Sequence, residues 1–235
     1  TMFGDSRFDL ATNQIQSPEI RMKEIIEEIK LMDEVGLDYF GIGEHHRADY
    51  VVAAPEIILA AAATQTQHII LASSVSVISS ADPVKLFQDF AMIDLLSDGR
   101  AEIMAGRGSF TESFPLFGYD LDQYNEIFEE KLDLLLKINA NDPITWKGKF
   151  RPELNNQEIY PRPKHGKLPI WIAVGGTPQS VERAARLGLP VMFAIIGGHY
   201  HNFKALFDYY RQAYQAYGHD MQNFQAVSYT HLRAH

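Results

Sequence analysis

Residues 38–47 read DYFGIGEHHR, and this stretch decides the fold. An apolar run, 38–43, is followed at once by an acid, two imidazoles and a guanidinium, which is typical of a buried strand with reactive side chains at its carboxyl end. In a parallel α/β barrel, catalytic groups come from the carboxyl ends of the strands. The stretch therefore predicts an active-site edge.

The rest of the chain alternates apolar, strand-like runs with helical periodicity, which predicts a parallel sheet covered by helices. No GxGxxG motif follows the first strand, so a barrel is favoured over an open doubly wound sheet. The predicted strands end at Met2-Phe3 or span 38–43, 68–77, 101–105, 169–174, 190–196 and 224–228, and the predicted helices span 18–35, 55–66, 83–95, 124–138, 179–187 and 201–217.

Seven strands fall short of the eight in a (β/α)8 TIM barrel, so we expect a barrel truncated at its C-terminal end. Residues 1–227 are expected to form this single incomplete domain. Residues 228–235 carry no helix signal and are interpreted as a tail that is not native.

The amino-acid composition excludes several classes of function. The net charge of −9 argues against a nucleic-acid partner, which would require a basic face. The chain has no cysteine, which excludes disulfides and thiolate chemistry and fits a cytoplasmic location. No apolar run approaches the roughly 20 residues of a membrane span, and no secretory signal is seen.

The Glu44-His45-His46 cluster allows three interpretations. A metal site is disfavoured, because no HxH or HExxH pattern is present. A purely structural interpretation has Glu44 paired with Arg47 and the histidines capping the strand. General acid–base catalysis is favoured, because an imidazole titrates near neutral pH.

Two other stretches could bind a phosphate. Arg107 lies between two glycines after a predicted strand, although it could equally pair with Glu102 or Glu112. Gly175-Gly176-Thr177-Pro178-Gln179-Ser180 (175–180) precedes a predicted helix, whose N-terminus favours anions, although a simple N-cap is the alternative.

Two further stretches remain ambiguous. The small residues 73–76 suit either a flat ring lying against the backbone or close strand packing. The aromatic residues of 110–119 suit either a lid or core packing beneath a long loop.

Together these motifs resemble the bacterial luciferase-like flavin monooxygenases. The resemblance covers nearly all of residues 1–225, and the motifs that carry it are FGIGEHHR (40–47), DPV (82–84), DLLSDGR (94–100), GRGSF (106–110), GGTP (175–178) and GLP (188–190). The position at which luciferases carry a reactive cysteine is Gly106 here, so light emission is not implied.

The resemblance implies a barrel that binds reduced FMN or, in some relatives, the deazaflavin F420. It implies that the flavin phosphate is held by Arg107, Ser109, Gly176, Thr177 and Ser180. Ser74-Val75 matches the site of a non-prolyl cis peptide behind the flavin ring. His45 matches the histidine near the flavin's reactive edge, and Glu44 is expected to orient nearby groups.

The function expected from the resemblance is a monooxygenase that oxidises a small organic substrate with reduced FMN and O2. A separate flavin reductase is expected to supply the reduced flavin, since no nicotinamide motif is visible, and the family often forms homodimers. An F420-dependent dehydrogenase, a flavin-binding barrel without turnover and a metal-dependent hydrolase using His45 and His46 are the alternatives.

Overall fold

The computed structural model describes residues 4–6, 8–9, 14–108, 110–195 and 201–230. The predicted strand end at Met2-Phe3, the candidate ligand Ser109, the last residue of the 190–196 strand and residues 231–235 lie outside this part of the chain. The chain divides into two compact units, Met2–Pro169 and Ile170–His235. Each unit is described by itself.

The first unit alternates strands and helices. Its strands are β1 (Phe8–Asp9), β2 (Gln14–Ile15), β3 (Tyr39–Ile42), β4 (Ile70–Ser73), β5 (Ser76–Val77), β6 (Ala101–Gly106), β7 (Ile144–Trp146) and β8 (Leu154–Gln157). Its helices are α1 (Pro18–Glu34), α2 (Pro55–Ala63), α3 (Pro83–Leu96), α4 (Ser113–Phe117) and α5 (Tyr124–Ala140).

The helix boundaries follow from capping residues, as predicted for α1 and α3. The Ser17 side chain accepts a hydrogen bond from the Ile20 amide at 3.3 Å and caps α1. Asp82 caps α3 through the amides of Val84 and Lys85, at 2.9 and 3.2 Å. Gly36 follows the end of α1 with φ of +78°, a conformation that glycine adopts at no steric cost.

The parallel strands of this unit put the reactive side chains at one edge. β4 pairs with β3 on one side and with β6 on the other, and β5 also pairs with β6, all in parallel. The predicted strand 68–77 is therefore two strands, and the Ser74–Val75 peptide bond between them is cis. Loops that follow β3, β4 and β6 leave from the same edge of the sheet.

Two charged side chains form hydrogen bonds with the backbone at the amino-terminal edge of this sheet. The Asp33 carboxylate accepts hydrogen bonds from the amides of Gln67, His68 and Ile69 at 2.7–2.8 Å, which fixes the chain entering β4. The guanidinium of Arg100 donates to carbonyl oxygens in the segment 63–69, where α2 ends. These bonds satisfy backbone groups that helix and strand ends otherwise leave unpaired.

The second unit is a three-stranded parallel sheet with two helices. β10 (Val191–Ile195) pairs with β9 (Ile170–Val174) and with β11 (Ala226–Thr230), and the helices are α6 (Pro178–Leu187) and α7 (His201–Ala216). β11 includes residues 228–230, which the sequence assigns to a tail, and it begins two residues later than predicted. Tyr210 is fully buried and stacks on Phe224, with the ring centroids 5.1 Å apart.

The α/β class with parallel strands is confirmed, while several local predictions are wrong. The loop 109–123 contains α4 and a short 3-10 helix, Leu121–Gln123. α2 ends three residues earlier than predicted. The hairpin of β7 and β8 is confirmed, but the β1–β2 hairpin is not predicted by the sequence. Among the described residues, no helix has both the length and the apolar character needed to cross a membrane.

Candidate functional site

Glu44 fastens the loop after β3 to β5. One carboxylate oxygen accepts a hydrogen bond from the Val77 amide at 2.8 Å, and the other lies 2.9 Å from Nε2 of His46. The Glu44 side chain is only 10% exposed, so these contacts replace most of its hydration. The predicted Glu44–Arg47 ion pair is wrong, because Glu44 faces His46 and β5.

His46 occupies an acidic, half-buried environment. The hydrogen bond to Glu44 raises the pKa of His46 above its ordinary value, against the opposing effect of burial. Its ring also meets Phe117 edge-on, with centroids 5.2 Å apart. A groove of about 270 Å³ runs past His46 and is lined also by Glu56 and Lys85.

His45, the next residue back in the chain, is enclosed by aromatic rings. Its centroid lies 4.1 Å from that of Tyr50 and 5.4 Å from that of Phe110, and the residue is 7% exposed. This burial lowers the pKa of His45 to about 4. The expectation that His45 titrates near neutral pH is therefore wrong: its imidazole is uncharged at pH 7.

Arg47 holds the segment after β6 against this loop. Its guanidinium lies 4.4 Å from the centre of the Phe110 ring and 3.2 Å from a Glu112 oxygen, and it also pairs with Asp49 at 2.9 Å. Within the aromatic segment 110–119, core packing is confirmed for Phe114, and a lid stays a prediction. Phe110 and Phe117 cover the two histidines, whereas Phe114 is buried in the core.

The cis peptide implied by the resemblance is found at Ser74–Val75. Within residues 71–80, all of which are described, Val75 alone is not buried. A Cβ built on Gly106 would lie 2.7 Å from both Val75 methyl groups, and one on Gly41 would lie 2.9 Å from the Ser74 Cβ. Two glycines, one on each of the strands that flank β4, therefore make room for Ser74 and Val75, and Val75 is partly exposed at the carboxyl edge of the sheet.

Arg107 lies at the end of β6 with its side chain exposed. Its guanidinium lies 4.7 Å from the centre of the Tyr124 ring. The alternative pairing with Glu112 is wrong, since Glu112 faces Arg47. Within the described residues, no ion pair joins Arg107 to a carboxylate, so its charge is available to an anion.

In the second unit, Thr177 and Ser180 form a hydroxyl pair at the start of α6. Their oxygens lie 2.8 Å apart, and within the described chain the Thr177 side chain makes no capping hydrogen bond although Thr177 is the N-cap residue. Thr177 thus occupies the N-cap position, as the alternative interpretation expects, but its hydroxyl pairs with Ser180 and not with a backbone amide. Gly176 precedes the pair with φ of +111° and is partly exposed. Two hydroxyls at a helix N-terminus suit an anion.

The structure thus brings together Glu44, His45, Ser74 and Val75 in the loops after β3 and β4. Sequence reasoning missed Tyr50 and Val77, which hold His45 and Glu44 in place. Neither contact has a signal in the sequence, because the sequence does not show how the loop after β3 folds Tyr50 onto His45, or that Glu44 reaches the amide of Val77 in β5. No group of three or more histidine or acidic side chains suited to a metal occurs among the described residues.

Comparison with curated proteins shows relatives across most of the chain. An uncharacterized protein of Sinorhizobium fredii is 30% identical over 161 residues, covering 68% of this chain and 46% of its own length. The alkanal monooxygenase alpha chain of Photorhabdus luminescens is 25% identical over 228 residues, covering 94% of this chain and 61% of its own length. The chain thus spans about half the length of these relatives.

Solved structures show the same fold. A monooxygenase from Streptomyces bottropensis superposes with a TM-score of 0.83 at 25% identity, over 91% of this chain and 65% of its own. The oxygenating constituent of 3,6-diketocamphane monooxygenase of Pseudomonas putida, in complex with FMN, superposes with a TM-score of 0.75 at 24% identity. The match covers 92% of this chain and 63% of that chain. An F420-dependent secondary alcohol dehydrogenase also superposes with a TM-score of 0.75, at 18% identity. The match covers 91% of this chain and 64% of that chain.

The predicted fold class is confirmed by these likenesses, which place the chain among TIM-barrel enzymes of the luciferase type. The family description luciferase-like monooxygenase matches residues 6–234, nearly the whole chain. Among the related structures, one is a complex with FMN and another holds an F420 adduct, so both carry a flavin-type cofactor. The chain belongs to the luciferase-like monooxygenase family.

Proposed function

We propose that this protein is a flavin-dependent monooxygenase that uses reduced FMN and O2 to oxidise a small organic substrate. The observation that carries the proposal is Val75, which packs against Gly106 at the carboxyl end of β6 and is the one residue of 71–80 that is not buried. This is where α/β barrels hold their ligands. An alkanal monooxygenase chain and an FMN complex among the related proteins support the choice of reaction.

The residues fit a flavin phosphate as well as its ring. Arg107 offers a guanidinium without a carboxylate partner among the described residues, and Val75 offers an apolar contact beside it in the same unit. In the second unit, Gly176, Thr177 and Ser180 are the candidates for phosphate contact. Ser109, implied by the resemblance, stays a prediction.

When bound, reduced flavin supplies the electrons that activate O2, and the protein places the substrate and excludes water. Phe110 and Tyr50 shield the His45 ring from bulk solvent. The uncharged His45 accepts a proton from the substrate at its ring nitrogen, and Glu44 fixes the loop that carries it. A separate flavin reductase is proposed as the source of reduced flavin.

An anaerobic titration tests the cofactor. FMN, reduced FMN, riboflavin and F420 are added in turn to the purified chain, and binding is followed by fluorescence or calorimetry. We expect reduced FMN to bind in preference to F420. Preferential binding of F420 would favour the F420-dependent dehydrogenase, and no flavin binding by folded protein would contradict the proposal.

Arg107→Ala separates phosphate recognition from ring recognition. Because only FMN carries the phosphate, this variant should weaken FMN binding about tenfold or more and leave riboflavin binding nearly unchanged. Arg107→Lys is the matched control, since it keeps the charge. Equal losses for FMN and riboflavin would remove Arg107 from the phosphate site.

We also propose a homodimer formed through α2 and α3. Ile57, Met92, Leu95 and Leu96 on these helices are 50–70% exposed, and a groove of about 320 Å³ lies between the helices. Apolar side chains exposed together in this way mark protein–protein contact sites. Sedimentation of Met92→Lys against Lys23→Glu, an exposed charge change on α1, tests the contact: only the α3 variant should be monomeric.

A further inference from the structure

A small cavity lies beside His45 in the first unit. It has a volume of about 10 Å³, and the residues that line it are Glu44, His45, His46, Val77, Gly108, Phe110, Glu112 and Ser113. A cavity of this size holds about one water molecule. It differs from the open groove beside His46, which is more than an order of magnitude larger.

Two of the residues that line this cavity each have a buried side-chain oxygen with no hydrogen-bond partner among the residues that the structure describes. One is the hydroxyl of Ser113, a residue that is 3% exposed. The other is Glu112 Oε2, which is likewise buried, whereas Oε1 of the same carboxylate faces Arg47 at 3.2 Å. Buried polar atoms are nearly always hydrogen-bonded to protein or to ordered water.

We propose that this cavity binds a single ordered water, held by the Ser113 hydroxyl and Glu112 Oε2 beside the His45 ring. An apolar occupant such as O2 would leave both oxygens without hydrogen bonds, which is costly in a buried site. The bound water connects the enclosed imidazole to the carboxylate that reaches Arg47 on the surface. It thereby gives a proton at His45 a hydrogen-bonded route past the Phe110 ring.

The sign of a stability change tests the proposal. If the Ser113 hydroxyl binds a water, Ser113→Ala removes a hydrogen bond, and the Tm should fall by about 2 °C or more. Ser79→Ala is the matched control: the Ser79 hydroxyl is also buried and unpartnered within the described residues, but Ser79 is not among the residues lining this cavity. Its Tm should stay equal or rise. A Tm of Ser113→Ala at or above that of the parent protein would overturn the proposal.

A crystal structure of the cofactor-free protein, with and without xenon pressure, provides a second readout. We expect one water peak within hydrogen-bond distance of Ser113 and Glu112, and no xenon in the cavity. Xenon at this position, or an empty cavity, would refute the water site. Because no flavin is involved, failure here is distinct from failure of the proposed monooxygenase activity.

Discussion

Two neighbouring histidines lie in opposite environments. His45 is surrounded by Tyr50 and Phe110, and burial lowers its pKa to about 4. His46 faces Glu44, and the hydrogen bond between them raises its pKa. Both side chains directly follow the same strand, so the difference comes from the groups that pack on each ring: Tyr50 and Phe110 on His45, and Glu44 on His46. The comparison shows how one loop can carry a neutral imidazole and a readily protonated one.

Replacing His45 should have the largest effect of these substitutions, because it changes how much stability the protein loses in acid. Because folding lowers the pKa of His45, the unfolded chain binds a proton more tightly, so this histidine destabilises the fold as pH falls from about 6.5 to 4. The cost amounts to about 3 kcal/mol at pH 4. His45→Gln should therefore lose that much less free energy of unfolding between pH 7 and 4, measured by urea denaturation.

His46→Gln supplies the contrast to that experiment. Folding raises the pKa of His46, so its contribution to stability is present below pH 6.5 and is lost as pH rises through the folded pKa. The free energy of unfolding of His46→Gln should therefore lie furthest below that of the parent protein at acidic pH. If both variants changed the pH dependence in the same direction, the opposite environments would be disproved.

Removing Glu44 should have the next largest effect. Glu44→Ala leaves the Val77 amide without its acceptor and deprives His46 of its partner, so the free energy of unfolding should fall by about 2 kcal/mol. Glu44→Gln keeps an acceptor and removes only the charge, and a smaller loss is expected. NMR titration should show the pKa of His46 falling in both variants, with little change at His45.

Removing one ring of the aromatic enclosure should change the pKa of His45 and leave that of His46 unchanged. Phe110→Ala admits water to the ring, and the pKa of His45 should rise by about 1 unit, equivalent to about 1.4 kcal/mol. Phe117→Ala is the matched control, because Phe117 packs on His46. An unchanged His45 titration in Phe110→Ala would show that another group controls its burial.

Arg47→Met should have the smallest effect. The Arg47 ion pairs are exposed, so their loss should lower the free energy of unfolding only slightly. The pKa of His45 should rise slightly, since a nearby positive charge is removed. A rise as large as that in Phe110→Ala would indicate that the guanidinium, and not the ring, protects His45.

The fold and the positions of the site were largely predictable from sequence, because both depend on local signals. Ser17-Pro18 and Asp82-Pro83 mark helix starts by the chemistry of their own side chains and rings. Glu44 and His45 directly follow a short apolar run, and this adjacency alone indicates that they lie at the end of a strand. The resemblance to a family added the cis peptide at Ser74–Val75.

The pairings within the site could not be predicted, since they join residues far apart in the chain. Arg47 has an acid two residues away, yet it also reaches Glu112, 65 residues further on. The near-neutral titration expected of His45 was wrong because aromatic burial by Phe110 and Tyr50 leaves no trace in the residues next to it. The residue type gives a side chain its ordinary pKa, but the packing around it sets the pKa in the folded protein.

The close fit between Val75 and Gly106 constrains how this edge of the sheet can evolve. A methyl group at position 106 would meet both Val75 methyls at 2.7 Å, so a larger residue there is unfavourable while valine remains at 75. A lineage gaining a side chain at 106 must first acquire a smaller residue at 75. The order of the two substitutions is thus fixed by geometry, and the two positions should covary among descendants of this chain.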